Sequence, residues 1–298
     1  MTAGPAQSAD NAWVRAMPMV FVLIWSTGFI VARYGMPFSP PMKFLALRFF
    51  LSALCLLAWV RFSRVTFPAT RAQWGHLAVT GLLMQVGYLG GVWSAVKLGM
   101  GSGLVALLVG LQPVLTAVWL SSRGGKVSSR QWGGLVLGLV GLTLVVWQKL
   151  GQGEIRMANL MLAMGALISI TVGTLYQKRY LQPCDVRAAS LVQLMAALAA
   201  TLPLALLESE PMRWQVELAG AMAWSVLVLT LGGGSLFFLL IQRGAAASVS
   251  SLMYLVAPTT AMLAWLLFDE PITTATIGGT VITAIGVSLV VRQPRRAA

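Results

Sequence analysis

The sequence predicts an all-α integral membrane protein of ten transmembrane helices, built as two inverted five-helix repeats with both termini cytoplasmic. Three observations predict it. The 298 residues are 58% hydrophobic and only 10% charged, with a mean hydropathy of +0.81, against about 25% charge in an ordinary soluble domain. Apolar windows of about 20 residues, the length that crosses a bilayer, recur ten times. A single offset of 145 residues lays the second half of the chain on the first.

Residues 1–16 form a short polar tail, read as the cytoplasmic start of an uncleaved signal-anchor because no small-residue cleavage site follows the first apolar run. The first span, 17–35, carries the polar trio Trp25, Ser26 and Thr27. The second, 43–61, contains Arg48 about 7 Å inward of Lys43 at 1.5 Å per residue, close enough for its guanidinium to snorkel to the outer interface. The alternative role for Arg48 is attraction of a substrate carboxylate near the outer mouth. The third span, 74–97, places Gln85 and Tyr88 on one helix face. The fourth, 103–121, is interrupted by Pro113 and shares a face among Val109, Gln112 and Thr116. The fifth, 131–148, is rich in glycine. The second repeat follows at 157–177, 186–207, 219–241, 247–267 and 275–291, with Tyr176 in its first span, Ser235, Phe238 and Gln242 on one face of its third, and Tyr254, Ala257 and Ala261 with Pro258 in its fourth. The repeats are therefore expected at 17–148 and 157–291, and 292–298 is a second cytoplasmic tail.

Pro113 and Pro258 are separated by the same 145 residues that pair Gly28 with Gly173, Gly99 with Gly244, Gly133 and Gly134 with Gly278 and Gly279, and Gly141 with Gly286. Self-similarity at a fixed offset marks an internal duplication. Five spans per copy is an odd number, so the second copy enters the membrane from the opposite side. The charges agree. With the amino terminus inside, fourteen of the 21 Lys and Arg fall on inner segments and six on outer ones, whereas six of the eight acids fall outside. The loop after Pro113 reads RGGK and its counterpart after Pro258 reads DE. The net charge of +13 thus records orientation in a lipid bilayer, and nucleic acid is not an expected partner.

Several classes of chemistry are excluded. RGGKVSS lacks the upstream glycine and the hydroxyl of a phosphate-binding GxxxxGK[ST] loop. His76 is the only histidine, and the acids lie in loops or at span ends, so neither an enzyme nor a metal site is expected, and no cofactor. Cys55 lies in a span and Cys184 in an inner loop, which argues against a disulfide. A buried acid that would balance a lipophilic cation or relay protons is missing from the spans, and one arginine is too few for phosphorylated substrates.

The segments WSTGFIVARYG, LRFFLSAL, the proline-broken fourth and ninth spans, DEP, GGLVLGLVGLTLVV and GGTVITAIGVSLVV together resemble the EamA-type ten-helix members of the drug/metabolite transporter superfamily, and within it the bacterial exporters of aromatic and other neutral amino acids. One departure is Gly125 in the place that corresponds to Glu270. The resemblance implies inverted repeats in the inner membrane and export of small metabolites. Such repeats place substrate near the bilayer midplane and work by alternating access. The residues themselves suit a zwitterion: Trp25, Gln85, Tyr88, Gln112, Tyr176, Ser235, Phe238, Gln242 and Tyr254 offer amides, hydroxyls and aromatic faces without a formal charge. Pro113 and Pro258 are either moving hinges or static kinks. A broad-specificity exporter and a non-transporting membrane scaffold remain as alternatives, and the oligomeric state is open. The glycine runs either join the fifth and tenth spans or form a dimer contact. Trp13, Trp59, Trp74, Trp132 and Trp147, near span ends, read as interfacial belt residues.

Overall fold

The computed structural model describes residues 5–63, 65–124, 128–151, 154–234, 236 and 255–291, and among these the secondary structure is helical throughout, with no strand. Seven helices are long and apolar enough to cross a membrane, and three shorter apolar helices, Met19–Gly35, Val256–Phe268 and Thr274–Leu289, accompany them.

The first helix, α1 (Pro5–Gly35), begins within the segment expected to be a polar tail. Polarity marks where the bilayer begins, whereas a helix continues wherever nothing breaks it, and Ala6 to Met17 contains no breaker. Helix α2 (Pro41–Phe62) starts with proline in its first turn, where a missing N–H costs nothing. The third span is composite: α3 (Arg71–Gly81), a π-helical segment (Leu82–Leu89) and α4 (Gly90–Lys97). The fourth is broken into α5 (Ser102–Val109) and α6 (Gln112–Ser122). Helices α7 (Ser129–Gly151), α8 (Met157–Tyr180) and α9 (Val186–Leu207) are continuous. The eighth span runs from α10 (Val216–Ala223) into a second π-helical segment (Trp224–Gly233). The chain closes with α11 (Val256–Phe268) and α12 (Thr274–Val291).

The two prolines sit in first helical turns. Pro113 follows the first residue of α6, after Leu111 closes a tight turn onto Leu108 O at 3.1 Å, and Pro258 is the third residue of α11. Proline lacks the amide that a helix interior would need. At these positions that amide has no intrahelical partner to lose, so Pro113 accommodates the break between α5 and α6, and Pro258 the start of α11.

The most extensive packing joins α7 to α12, the fifth and tenth spans, so the glycine runs join helices within one chain. A Cβ on Gly141 would stand 2.4 Å from Gly279 O, and one on Gly286 would stand 2.6 Å from Gly134 O. Under the 145 offset these two contacts exchange. Thr283 Oγ1 donates to Gly138 O at 3.4 Å, a bond between two residues 145 apart. The crossing is therefore arranged about a local pseudo-two-fold centred on Gly138 and Thr283. The second and seventh spans, α2 and α9, also pack on each other. Across the repeats, α1 meets α11 and the second π segment, while α8 meets α6 and the first.

One end of the bundle is acidic and stitched by carboxylates. Glu208 accepts from Met42 and Lys43 amides at 3.0 and 2.8 Å, and caps α2. Glu154 accepts from Gly101 N at 2.8 Å and pairs with Lys149 at 2.6 Å. Asp269, at φ 52, ends α11 in the left-handed region, and the next residue, Glu270, reaches Ser102 N and Oγ, both at 3.1 Å. From its place after α11, Glu270 thus caps α5, the opening helix of another span.

At the opposite, basic end Asp185 caps α9 through Arg187 N at 2.9 Å and holds the Arg187 guanidinium at 2.7 Å. Hydrogen bonds from that side chain, and then from backbone amides, lower the Asp185 carboxyl below its usual range. A lowered folded-state value means a stabilising contribution fully present above the unfolded value near 4, and lost as pH falls through the lowered one. Amide exchange over Arg187–Ala189, corrected for intrinsic rates, is expected to lose protection below pH 4 in the native chain. Asp185→Asn should show the weaker protection at every pH. Equal pH dependence in both would count against the cap.

Candidate functional site

Where the two repeats meet, the interior contains hydroxyls, aromatic rings and one guanidinium. On α1, buried Ser26 donates from Oγ to Val22 O at 2.8 Å and to Val256 O of α11 at 3.4 Å, while Thr260 of α11 donates to Ser26 O at 3.4 Å. Thr27 accepts from Trp224 Nε1 at 2.9 Å. Trp25 is half-buried, its ring 5.4 Å from Phe21. These bonds tie the first span to the eighth and ninth.

The π-helical segments shape the next layer. Shifted by 145, Leu82–Leu89 falls on 227–234 and overlaps Trp224–Gly233, so both repeats carry the same backbone irregularity in the third span of each. Widened turns of this kind redirect side chains and free carbonyls, and they recur at functional sites. Here Leu83 O accepts from Ser169 of α8 at 2.8 Å, and Thr230 Oγ1 donates to Ser225 O at 3.0 Å. The irregularity has no simple signature of breaker residues, and the sequence alone predicted ordinary helices. Its only hint was a glycine-flanked polar pair, Gln85 and Tyr88.

Arg48 corrects an expectation. It does not snorkel: the residue is 7% exposed, and its terminal nitrogen donates to Thr230 Oγ1 at 3.4 Å. Helix α2 packs on both α9 and the second π segment, and Arg48 meets the latter. Tyr88, also buried, lies within electrostatic range of it. The interior consequently holds a formal charge, where the sequence suggested none. Arg48 Nε, Ser52 Oγ and Ser225 Oγ are buried without hydrogen-bond partners. Ser52 follows Arg48 by one helical turn and shares its face.

The structure divides the remaining candidates. Gln85 is half-buried on the first π segment, three residues from Tyr88. Gln112 donates to Thr174 Oγ1 at 2.6 Å, a bond that fixes α6 to α8. Tyr176 lies toward the basic end, its hydroxyl 2.8 Å from His76 Nδ1, with Tyr180 stacked on the histidine at 5.1 Å between ring centroids. His76 and Tyr88 stand twelve residues apart on one span, roughly 18 Å at 1.5 Å per residue, so Tyr176 and Tyr88 do not share a pocket. Ser235, Phe238, Gln242 and Tyr254 lie outside the described residues. Trp59, Trp74, Trp132 and Trp147 are exposed near helix ends, as belt residues should be. Cys55 and Cys184 are free.

At the acidic end a small cleft of about 20 Å³ lies between α5, α7, α11 and α12. Its walls include Gly103, Leu107, Ala261 and Thr280, and its rim includes the Lys149–Glu154 pair and Glu270. Sequence reasoning did not anticipate this cleft, because the rim residues come from separate loops of both repeats.

Comparison with known proteins places this architecture. The EamA-like transporter family matches residues 14–147 and again 157–292. A Salmonella typhimurium protein described as "Probable amino-acid metabolite efflux pump" is 26% identical over 188 residues, 63% of this chain and 60% of that protein, so the match spans less than two thirds of the relative. An Escherichia coli K12 protein described as "Uncharacterized inner membrane transporter YedA" is 25% identical over 247 residues, covering 81% of this chain and 78% of its own. A solved crystal structure superposes with a TM-score of 0.66 at 16% identity, over 93% of this chain and 96% of that one, and shares the fold.

Proposed function

Because the chain belongs to the EamA-like transporter family and is a multi-pass inner-membrane protein with two copies of the family repeat, we propose that it exports neutral, preferentially aromatic, amino acids as a secondary transporter working by alternating access. The observation that carries this reading is the interior between the repeats: aromatic and hydroxyl side chains around one buried guanidinium, with the described carboxylates confined to loops and helix ends. Such a lining suits a small molecule with a polar head and an apolar body, and it offers nothing to neutralise a lipophilic cation. The efflux description of the Salmonella relative points the same way.

The mechanical parts fit inversion of the two repeats. Contacts at the α7–α12 crossing exchange under the 145 offset, and Pro113 and Pro258 both lie in the first turn of a helix. In this reading the crossing is the axis on which the halves rock. The carboxylate caps at the acidic end close one face.

Uptake into proteoliposomes tests the reading. Labelled phenylalanine and threonine are expected to show saturable flux, phenylalanine with the lower KM, while tetraphenylphosphonium and phosphoenolpyruvate show none. Flux of only the cation or only the phosphate ester would remove the amino-acid assignment. Repeating the assay with an imposed proton gradient separates coupled from facilitated transport.

A further inference from the structure

Arg48 has no countercharge of its own. Its guanidinium offers five N–H groups in a planar fork, yet it makes one long hydrogen bond, to Thr230, and its Nε is unpaired. Ser52 and Ser225 are 0% exposed, and their hydroxyl oxygens also lack partners. A buried charge in a membrane interior is retained where a partner meets it. Among the described residues, Glu154, Glu208, Glu210 and Glu270 bind cations or helix amides at the acidic end, Glu217 and Asp269 are exposed, and none of the six pairs with Arg48.

The unmet need has a definite shape. A guanidinium fork matches a planar, singly charged, two-oxygen acceptor, and the hydroxyls of Ser52, one turn along α2, and Ser225, whose carbonyl accepts from Thr230, suit its remaining lone pairs. A phosphate, with its higher charge, would call for a second cation. We infer that Arg48, with Ser52, Ser225 and Thr230, binds the carboxylate of the transported molecule, so that the protein selects its substrates by that group. The inference deepens the amino-acid reading above and rests on it for the transported species, but the carboxylate site itself makes a separate claim. No described acid faces Arg48 to receive an ammonium group, so a plain carboxylate is bound as well as an amino acid.

Titration of the purified full-length protein in detergent with three probes sharing a phenylethyl body tests this. 3-Phenylpropanoate and L-phenylalanine are expected to bind, and 2-phenylethylamine is not. Arg48→Met should weaken both carboxylates about 30-fold or more, the scale of a lost charge-assisted pair, and Arg48→Lys, which keeps charge but loses the fork, should fall between. Unfolding midpoints identify variants that fold. If Arg48→Met does not fold, Arg48→Lys and Thr230→Val carry the test. Unchanged 3-phenylpropanoate affinity in the folded variants overturns the inference, as does amine binding equal to that of the carboxylates, or no carboxylate binding by the native protein. Carboxylate binding that depends on Arg48, without phenylalanine flux, would discard the amino-acid reading and support the site. Phenylalanine flux unaffected by Arg48→Met would do the reverse.

Discussion

Replacing Gly141 with leucine will force the α7–α12 crossing apart and cost about 3 kcal/mol or more, at the upper end of what overpacking a close-packed interface costs. The reason is that the obstruction is backbone. A Cβ at Gly141 meets Gly279 O at 2.4 Å and Thr283 N at 2.6 Å, and the reciprocal Cβ at Gly279 meets Gly141 O at 2.5 Å. Flexible side chains can turn away, but these atoms cannot. Gly133 and Gly278 provide the control, because an added Cβ at either meets nothing within 4 Å. Gly133→Ala and Gly278→Ala should leave thermal unfolding in detergent nearly unchanged, or raise its midpoint slightly as chain entropy is reduced. If Gly141→Leu melts with the controls, the crossing is not where the halves are joined. Because the contact lies on the local pseudo-two-fold, Gly286→Leu should reproduce the loss through Gly134 O and Gly138 N.

The second large effect is expected at the acidic end. Lys149 and Glu154 pair at 2.6 Å with side chains only 6% and 18% exposed, and Glu154 also caps α5 through Gly101. Removing one member of a pair so buried leaves the other without compensation, which costs about 3–5 kcal/mol. Lys149→Met is accordingly expected to lower stability by about 3 kcal/mol, while Lys149→Met combined with Glu154→Gln recovers part of the loss. A double-mutant cycle from thermal or denaturant unfolding gives the coupling. Additive single losses would show that the two side chains act separately. The same variants should loosen the rim of the cleft, since Glu154 joins the segment between the repeats to the start of α5.

Much of this protein is legible in its sequence because the controlling physics is one-dimensional. A bilayer selects apolar windows by length, the charge of each loop reports its side, and a duplication leaves glycines and prolines at a constant spacing. The helical class and the twofold repeat could be read that way and motif resemblance supplied the family, whereas glycine spacing left open whether the fifth and tenth spans join each other or a second copy. Chain-local capping also follows from residue type, as at Asp185. Caps supplied from elsewhere do not, and Glu208 and Glu270 reach helices 165 and 168 residues away.

Spacing sets how far along its span each residue lies, and so placed Arg48 about 7 Å along the helix from Lys43. It could not say which way Arg48 faces. Azimuth is decided by neighbours: α2 packs on both α9 and the second π segment, and Arg48 meets Thr230 of that segment instead of lipid. The same limit explains why Gln112, Tyr88 and Tyr176 could be nominated together from their shared chemistry, although tertiary packing gives one to a helix contact, one to the surroundings of Arg48 and one to His76. The sequence by itself determined which groups enter the membrane; only the tertiary structure decided which of them meet.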